Sequence, residues 1–140
     1  MAETPAAERT TPDLRRTPVR VVMTSTVVAV MRGSRLSDAV DTFVRTGLRH
    51  LVVVDAKGRS AGILSREYVT TAWLAPASRR VSWVHEMVSH PDTSVHADTT
   101  VREVAGLMRD SGLDAVPVVG HDDRLIGVVT RTDLVRLLAG

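Results

Sequence analysis

LSDAVDTFVRTGLRHLVVVDAKGRSAGILSREYV (residues 36–69) and VREVAGLMRDSGLDAVPVVGHDDRLIGVVTRTDL (residues 101–134) lie on one another at a constant offset of 65 residues, without a gap. Gly47 falls on Gly112, Leu48 on Leu113, Val53 and Val54 on Val118 and Val119, Arg59 on Arg124, Gly62 on Gly127 and Arg66 on Arg131. These seven identities in 34 positions include the glycines, and apolar residues meet apolar residues at most of the others. A unit of about 55 residues is too small to bury a core alone, so the two copies are predicted to pack on each other around one core. That packing leaves a pseudo-symmetric cleft between them, which is where function should be sought.

Working outward, each copy reads as β-α-β-β-α. In the first, Leu36, Val40, Phe43 and Val44 recur at helical spacing and Gly47 stops the helix over 37–46. The β-branched run 50–54, the turn Asp55-Ala56-Lys57-Gly58 and a strand over 60–64 form a hairpin, and a helix follows from Arg66 to Leu74. Ahead of these come a helical turn over 19–24 and a strand over 26–30. The second copy repeats the order: a turn at 84–87, a strand near Ser94 and Val95, a helix over 101–110, strands over 115–119 and 125–129, and a helix over 131–138. Residues 1–18, rich in Thr, Pro, Ala and charge, are predicted to be a disordered tail. The domains are then 1–18 tail, 19–75 first repeat, 76–83 linker and 84–138 second repeat. Trp73 and Trp83 are expected to pack that linker or a dimer contact.

Composition narrows the function. There is no cysteine, so disulfides, thiolate metal sites and a cysteine nucleophile are excluded. The longest apolar run is far short of a membrane span, and the polar N-terminus carries no leader pattern, so a soluble cytoplasmic protein is expected. Eighteen basic against 16 acidic residues give +2. With four aromatics and only Arg15-Arg16 and Arg79-Arg80 as adjacent basic pairs, a nucleic-acid surface is not expected. His50, His85, His90, His96 and His121 lack the spacing of a metal site. Ser65, His50 and Asp55 lack the strained turn of a hydrolase nucleophile.

The residues with chemical content cluster at Gly127-Val128-Val129-Thr130-Arg131-Thr132-Asp133. A strand handing over to a helix there leaves amides free near Thr130 for a phosphate or hydroxyl. Asp133, one turn in, can accept hydrogen bonds from both hydroxyls of a ribose. Gly127 would let an adenine lie close to the strand. The same Thr-x-x-Asp pattern also caps helices, and Thr100-Val101-Arg102-Glu103 shows that form where no ligand is assigned. In the first copy Tyr68 stands where Asp133 would be, so one good site is expected.

Val22-Met23-Thr24, Gly47 to Asp55 and Gly62-Ile63-Leu64-Ser65-Arg66, with Gly112-Leu113-Asp114-Ala115-Val116-Pro117-Val118-Val119 and Gly127 to Asp133, resemble the cystathionine-β-synthase (CBS) domain. The likeness covers residues 19–138. Two such domains in tandem resemble the regulatory Bateman module, an α/β (α+β) fold with pseudo-two-fold symmetry. The resemblance implies a sensor that is not an enzyme, forms a homodimer and acts through a partner protein. It implies an adenosine-containing ligand in the cleft: AMP, ADP, ATP, S-adenosylmethionine or NAD. It also implies that Asp133 and Thr130 face Met23, Thr24, Val28, Leu48, Arg49 and His50 of the other repeat, with Thr132 and Gly127 among the ligand-binding residues. Leu48 and Val28 would line the base, and Arg131 or Arg49 would meet phosphate. A weaker site would gather Ser65, Tyr68, Leu113 and Asp114. A ligand-free scaffold of the same fold is the alternative.

Overall fold

The computed structural model describes residues 13–76 and 82–139. Its elements are β1 (Ala29–Met31), α1 (Leu36–Thr46), β2 (His50–Val54), β3 (Ser60–Ser65) and α2 (Arg66–Trp73), then β4 (Val95–His96), α3 (Val101–Ser111), β5 (Ala115–Val119), β6 (Leu125–Thr130) and α4 (Arg131–Ala139). Short 3-10 turns at Val19–Val21 and Val84–Glu86 precede each set. Among the described residues this gives two three-stranded sheets and four helices, the predicted β-α-β-β-α order twice over.

In each sheet the first strand runs parallel to the second, joined by the first helix, and the hairpin strand is antiparallel. The register sets His50 opposite Ser65 and Ala115 opposite Thr130. The handover from hairpin to helix therefore falls at the same end of both sheets. At the other end of the first hairpin the Arg59 amide, helped by the Arg59 guanidinium and the Lys57 amide, holds the Asp55 carboxyl below its ordinary value and fixes the turn.

The expectation of one core needs correcting. Leu36, Ala39, Phe43, Leu51, Val53, Leu64 and Val69 form a core within the first repeat. Val101, Val104, Met108, Val116, Val118, Val129 and Leu134 form its counterpart in the second. A third, smaller cluster of Val52, Ile63 and Ala115, with Val27, Leu125 and Val128 against it, is the seam between them. The reason lies in β-strand alternation: β2 and β5 are buried on both faces, one face against their own helices and the other against the opposite repeat.

Each repeat also lends its first segment to the other. Val19 is fully buried in the core of the second repeat, its N–H donating to the Thr99 carbonyl at 2.7 Å. Thr24 and Val128 exchange both backbone hydrogen bonds, at 2.8 and 2.9 Å. Symmetrically, Val84 is buried in the first repeat's core, and Ser89 exchanges backbone bonds with Ile63 at 3.1 and 3.4 Å. The expected tail is corrected in its last part. Residues 1–12 lie outside the described set, but 13–17 form a turn whose Leu14 and Thr17 carbonyls accept from Arg102 and Val101, so this stretch caps α3. Of the linker, residues 77–81 lie outside the described set. Trp83 packs its ring on the Arg35 guanidinium, 4.9 Å away, and Trp73 lies against the first core.

Candidate functional site

At the handover end of the sheets the two repeats enclose a cavity of about 510 Å³. Its walls come from both copies. The stretch between the crossing turn and β1 supplies Thr24, Thr26, Val27 and Val28, and the loop into β2 supplies Leu48, Arg49 and His50, backed by Val52. From the second repeat come Asp114, Val128, Thr130, Arg131, Thr132 and Val135. A lining that joins valines and a leucine with hydroxyls and guanidiniums is the make-up of a small-molecule site, and its volume lies in the ordinary range of about 300–1,000 Å³ for such sites.

Eight of the residues expected to meet here do so: Thr24, Val28, Leu48, Arg49, His50, Thr130, Arg131 and Thr132. Gly127, Met23 and Asp133 stand elsewhere. A side chain on Gly127 would begin 2.7 Å from Met23 Sδ and 2.9 Å from the Thr24 carbonyl. The glycine thus makes room for the crossing strand of the first repeat and not for a base, and Met23 is the residue that fills the space. Gly62 plays the same part for Val88, Ser89 and Pro91.

Asp133 is buried, only 7% exposed, and turned onto its own helix. Its Oδ2 accepts from the Thr130 N–H at 2.8 Å while the Asp133 N–H donates to Thr130 Oγ1 at 3.2 Å, a reciprocal cap on α4. The expectation of a carboxylate standing free in the cleft is corrected accordingly. The other oxygen, Oδ1, accepts from the Thr24 hydroxyl across the seam at 3.4 Å and lies 3.9 Å from Arg136. At the start of α3, Thr100 accepts from the Glu103 N–H, the plain cap expected there.

A second cavity of about 230 Å³ lies at the pseudo-equivalent position and includes Ser65, Arg66, Glu67, Ser89, Leu113 and Asp114. Three of the four residues expected there line it. Tyr68 does not: it is 61% exposed and outside the cavity lining. Arg49, His50 and Asp114 border both cavities and form the wall between them. His50 Nε2 and Asp114 Oδ1 are 2.8 Å apart, a polar contact that ties β2 of one repeat to the start of β5 in the other. The sequence reading places Asp114 only at the smaller site. Its wider role has a signal in the repeat itself, because Asp114 falls on Arg49 at the 65-residue offset, opposite charges at pseudo-equivalent places. His50 lies against Asp114 and Asp55 against Arg59. Among the described residues no three His, Cys, Asp or Glu side chains converge as metal ligands, and no helix is long and apolar enough to cross a membrane.

The family model for the CBS domain matches residues 19–74 and 84–140. The magnesium transporter MgtE of Thermus thermophilus is 33% identical over 122 residues, covering 84% of this chain and 26% of the transporter. The chain spans about a quarter of the length of the curated relatives it first matches. The cytosolic domain of MgtE, solved in complex with ATP, superposes with a TM-score of 0.68 at 33% identity, over 83% of this chain and 46% of that one. CBSX2 in complex with AMP superposes at 0.75 with 23% identity, over 86% and 94% of the two chains. The CBS domain pair of MJ0100, in complex with 5′-methylthioadenosine and S-adenosyl-L-methionine, gives 0.75 with 24% identity over 89% and 97%. Two matched domains, a seam between them and this agreement in fold lead to one conclusion: the chain belongs to the CBS domain family and is built as a tandem CBS pair.

Proposed function

We propose that the chain is a regulatory module, not an enzyme, that binds an adenosine-containing small molecule in the larger cavity and reports its occupancy to a partner protein. The observation that carries this reading is an open cavity of about 510 Å³ whose walls belong to both repeats. A ligand there touches Leu48 and Val28 from one copy and Thr130 to Thr132 from the other, so it stabilises one relative arrangement of the two. Only such a difference in affinity between arrangements can transmit a signal. The complexes of MgtE with ATP, CBSX2 with AMP and MJ0100 with S-adenosyl-L-methionine support the ligand class, and AMP, ADP, ATP, S-adenosylmethionine and NAD form the panel to test. In a thermal-shift titration the binding member should add roughly 2.7 kcal/mol of stability at 100 times its dissociation constant. No shift with any of them would sink the reading.

The second reading is a ligand-free scaffold. It is favoured by the Asp133 carboxylate, which already satisfies Thr130 and lies close to Thr24. The same titration separates the two.

The module works in the cytoplasm as a homodimer on this reading, pairing through the outer face of α1 and α2. Val44 is 81% and Leu74 76% exposed there, beside a groove of about 450 Å³ lined by Val40, Phe43, Val69 and Trp73. An apolar face of that kind on a water-facing helix pair is the usual mark of an interface. Sedimentation velocity should show a dimer that Val44→Glu with Leu74→Glu converts to a monomer. A wild-type monomer at tens of micromolar would remove the dimer.

A further inference from the structure

At the sheet ends away from the handover the two repeats part company at one place. In the second repeat Arg20, on the turn lent by the first, forms an ion pair with Asp98 in the β4–α3 loop, and the Arg20 N–H donates to the Ala97 carbonyl at 3.1 Å. At the 65-residue offset Arg20 falls on His85, Ala97 on Arg32 and Asp98 on Gly33. The backbone around these positions is laid out alike. The Arg32 and Ala97 N–H groups donate to the Val54 and Val119 carbonyls at 2.8 and 3.1 Å, and the Ser34 and Thr99 carbonyls accept from the Val84 and Val19 N–H groups at 2.9 and 2.7 Å.

The difference is one of charge. Where the second repeat has a cation closed by a carboxylate, the first has Gly33, and a side chain there would meet no atom within 4 Å. A cavity of about 570 Å³ opens at this place, and Arg32, Gly33, Ser34, Asp55 and His85 line it. Among the described residues neither the Arg32 guanidinium nor the His85 imidazole has a hydrogen bond or ion pair, and the Arg20–Ala97 backbone bond has no counterpart between His85 and Arg32. The one carboxylate in the lining, Asp55, is already taken by the Arg59 guanidinium at 2.8 Å and by the Lys57 and Arg59 amides.

We infer that this cavity binds a small organic carboxylate, which holds in the first repeat the place that the Asp98 side chain holds in the second. A guanidinium presents parallel N–H groups that match a carboxylate, and an imidazole offers an N–H whether or not it is protonated. The volume lies in the ordinary range of about 300–1,000 Å³ for small-molecule sites and exceeds what a carboxylate alone fills, so the ligand carries an organic body against Met31. Arg32 belongs to the first repeat and His85 to the segment that the second lends it, so the bound anion ties the two together as Arg20 and Asp98 do in the other half. The site stands at the opposite end of the first sheet from the two cavities between the repeats and is independent of what they bind. Both cations are exposed, and charges that face solvent attract weakly, so the affinity is millimolar.

Amide NMR of the isotope-labelled full chain, titrated with sodium succinate against sodium chloride of equal ionic strength, tests this. The expected result is a saturable shift centred on the amides of residues 31–34 and 85. Two variants copy the second repeat: Gly33→Asp restores the carboxylate of Asp98, and Arg32→Ala reproduces Ala97. Gly33 lies outside the left-handed region and has open space beside it, and Arg32 is exposed, so both variants should fold. Each should weaken succinate at least about tenfold, the size of one hydrogen bond to a charged group. Shifts no larger than those with chloride, saturable shifts centred on Thr130 to Thr132 instead, or an unchanged half-saturation point in either variant would each overturn the site.

Discussion

Gly62→Val should cost about 2–6 kcal/mol, enough to threaten a domain whose total stability is typically about 5–15 kcal/mol. Two separate penalties add. Gly62 has φ +117°, where a β-branched side chain is strained by about 1–3 kcal/mol. Its missing side chain also leaves the space taken by the second repeat: a Cβ would collide with Val88 Cγ1 and come within 3.1 Å of Pro91 Cα and the Ser89 carbonyl. Two of those neighbours are backbone atoms, and the Ser89 carbonyl accepts from the Ile63 N–H, so neither yields as a flexible side chain would, and overpacking of this kind costs about 1–3 kcal/mol more. Gly33, with no atom within 4 Å of the place a Cβ would take, is the control: Gly33→Val should change stability by less than about 1 kcal/mol. Urea unfolding of both variants checks the point. A Gly62→Val protein as stable as the Gly33 control would mean that the crossing of the repeats does not depend on this contact.

The second large effect is expected at Asp133. Asp133→Ala removes the acceptor of the Thr130 N–H and the cross-seam contact to Thr24, leaving a part-buried amide unsatisfied. Such a loss is worth about 1–3 kcal/mol, of which the cap alone accounts for roughly 1. Asp133→Asn keeps an acceptor for the Thr130 amide and should lose under about 1 kcal/mol. The two substitutions differ in what they say about the ligand. If Oδ1 exchanges the 3.4 Å contact with Thr24 for a ribose hydroxyl, both variants should bind an adenosine ligand about 1.5–3 kcal/mol more weakly, the range for a hydrogen bond to a charged group. Calorimetry on Asp133→Asn separates the roles, because its fold is nearly intact. Wild-type affinity in that variant would leave Asp133 a capping residue only.

Much of the fold is legible in the sequence because the evidence for it is local. Helix periodicity at Leu36, Val40 and Phe43, glycines at 47 and 112, and the hairpin turn before Arg59 each reflect the chemistry of a few neighbouring residues, and those elements form as predicted. The strand expected over 26–30 is displaced: β1 is Ala29–Met31, since the residues before it serve the seam and the cavity wall. The Thr-x-x-Asp pattern marks the handover to α4, but that pattern fits a cap and a ligand site alike, and only the packing could choose where each oxygen points.

The crossing of the first segments has a signal outside the aligned stretches 36–69 and 101–134. Val19 falls on Val84, Met23 on Val88 and Thr24 on Ser89 at the same offset of 65. Even so, equal spacing cannot say which copy a segment packs on, since either choice buries the same valine.

From its sequence alone this chain is two copies of a β-α-β-β-α unit, because backbone preference and apolar spacing act over a handful of residues and leave no other arrangement of elements. Tertiary structure decided the rest: that Gly62 and Gly127 serve the exchange of segments, that Asp133 caps α4, and that His50 meets Asp114 between two unequal cavities. Those outcomes depend on contacts between residues up to 109 positions apart, as between Thr24 and Asp133. Such pairings are set by how two sheets share one thin seam, which no local pattern encodes.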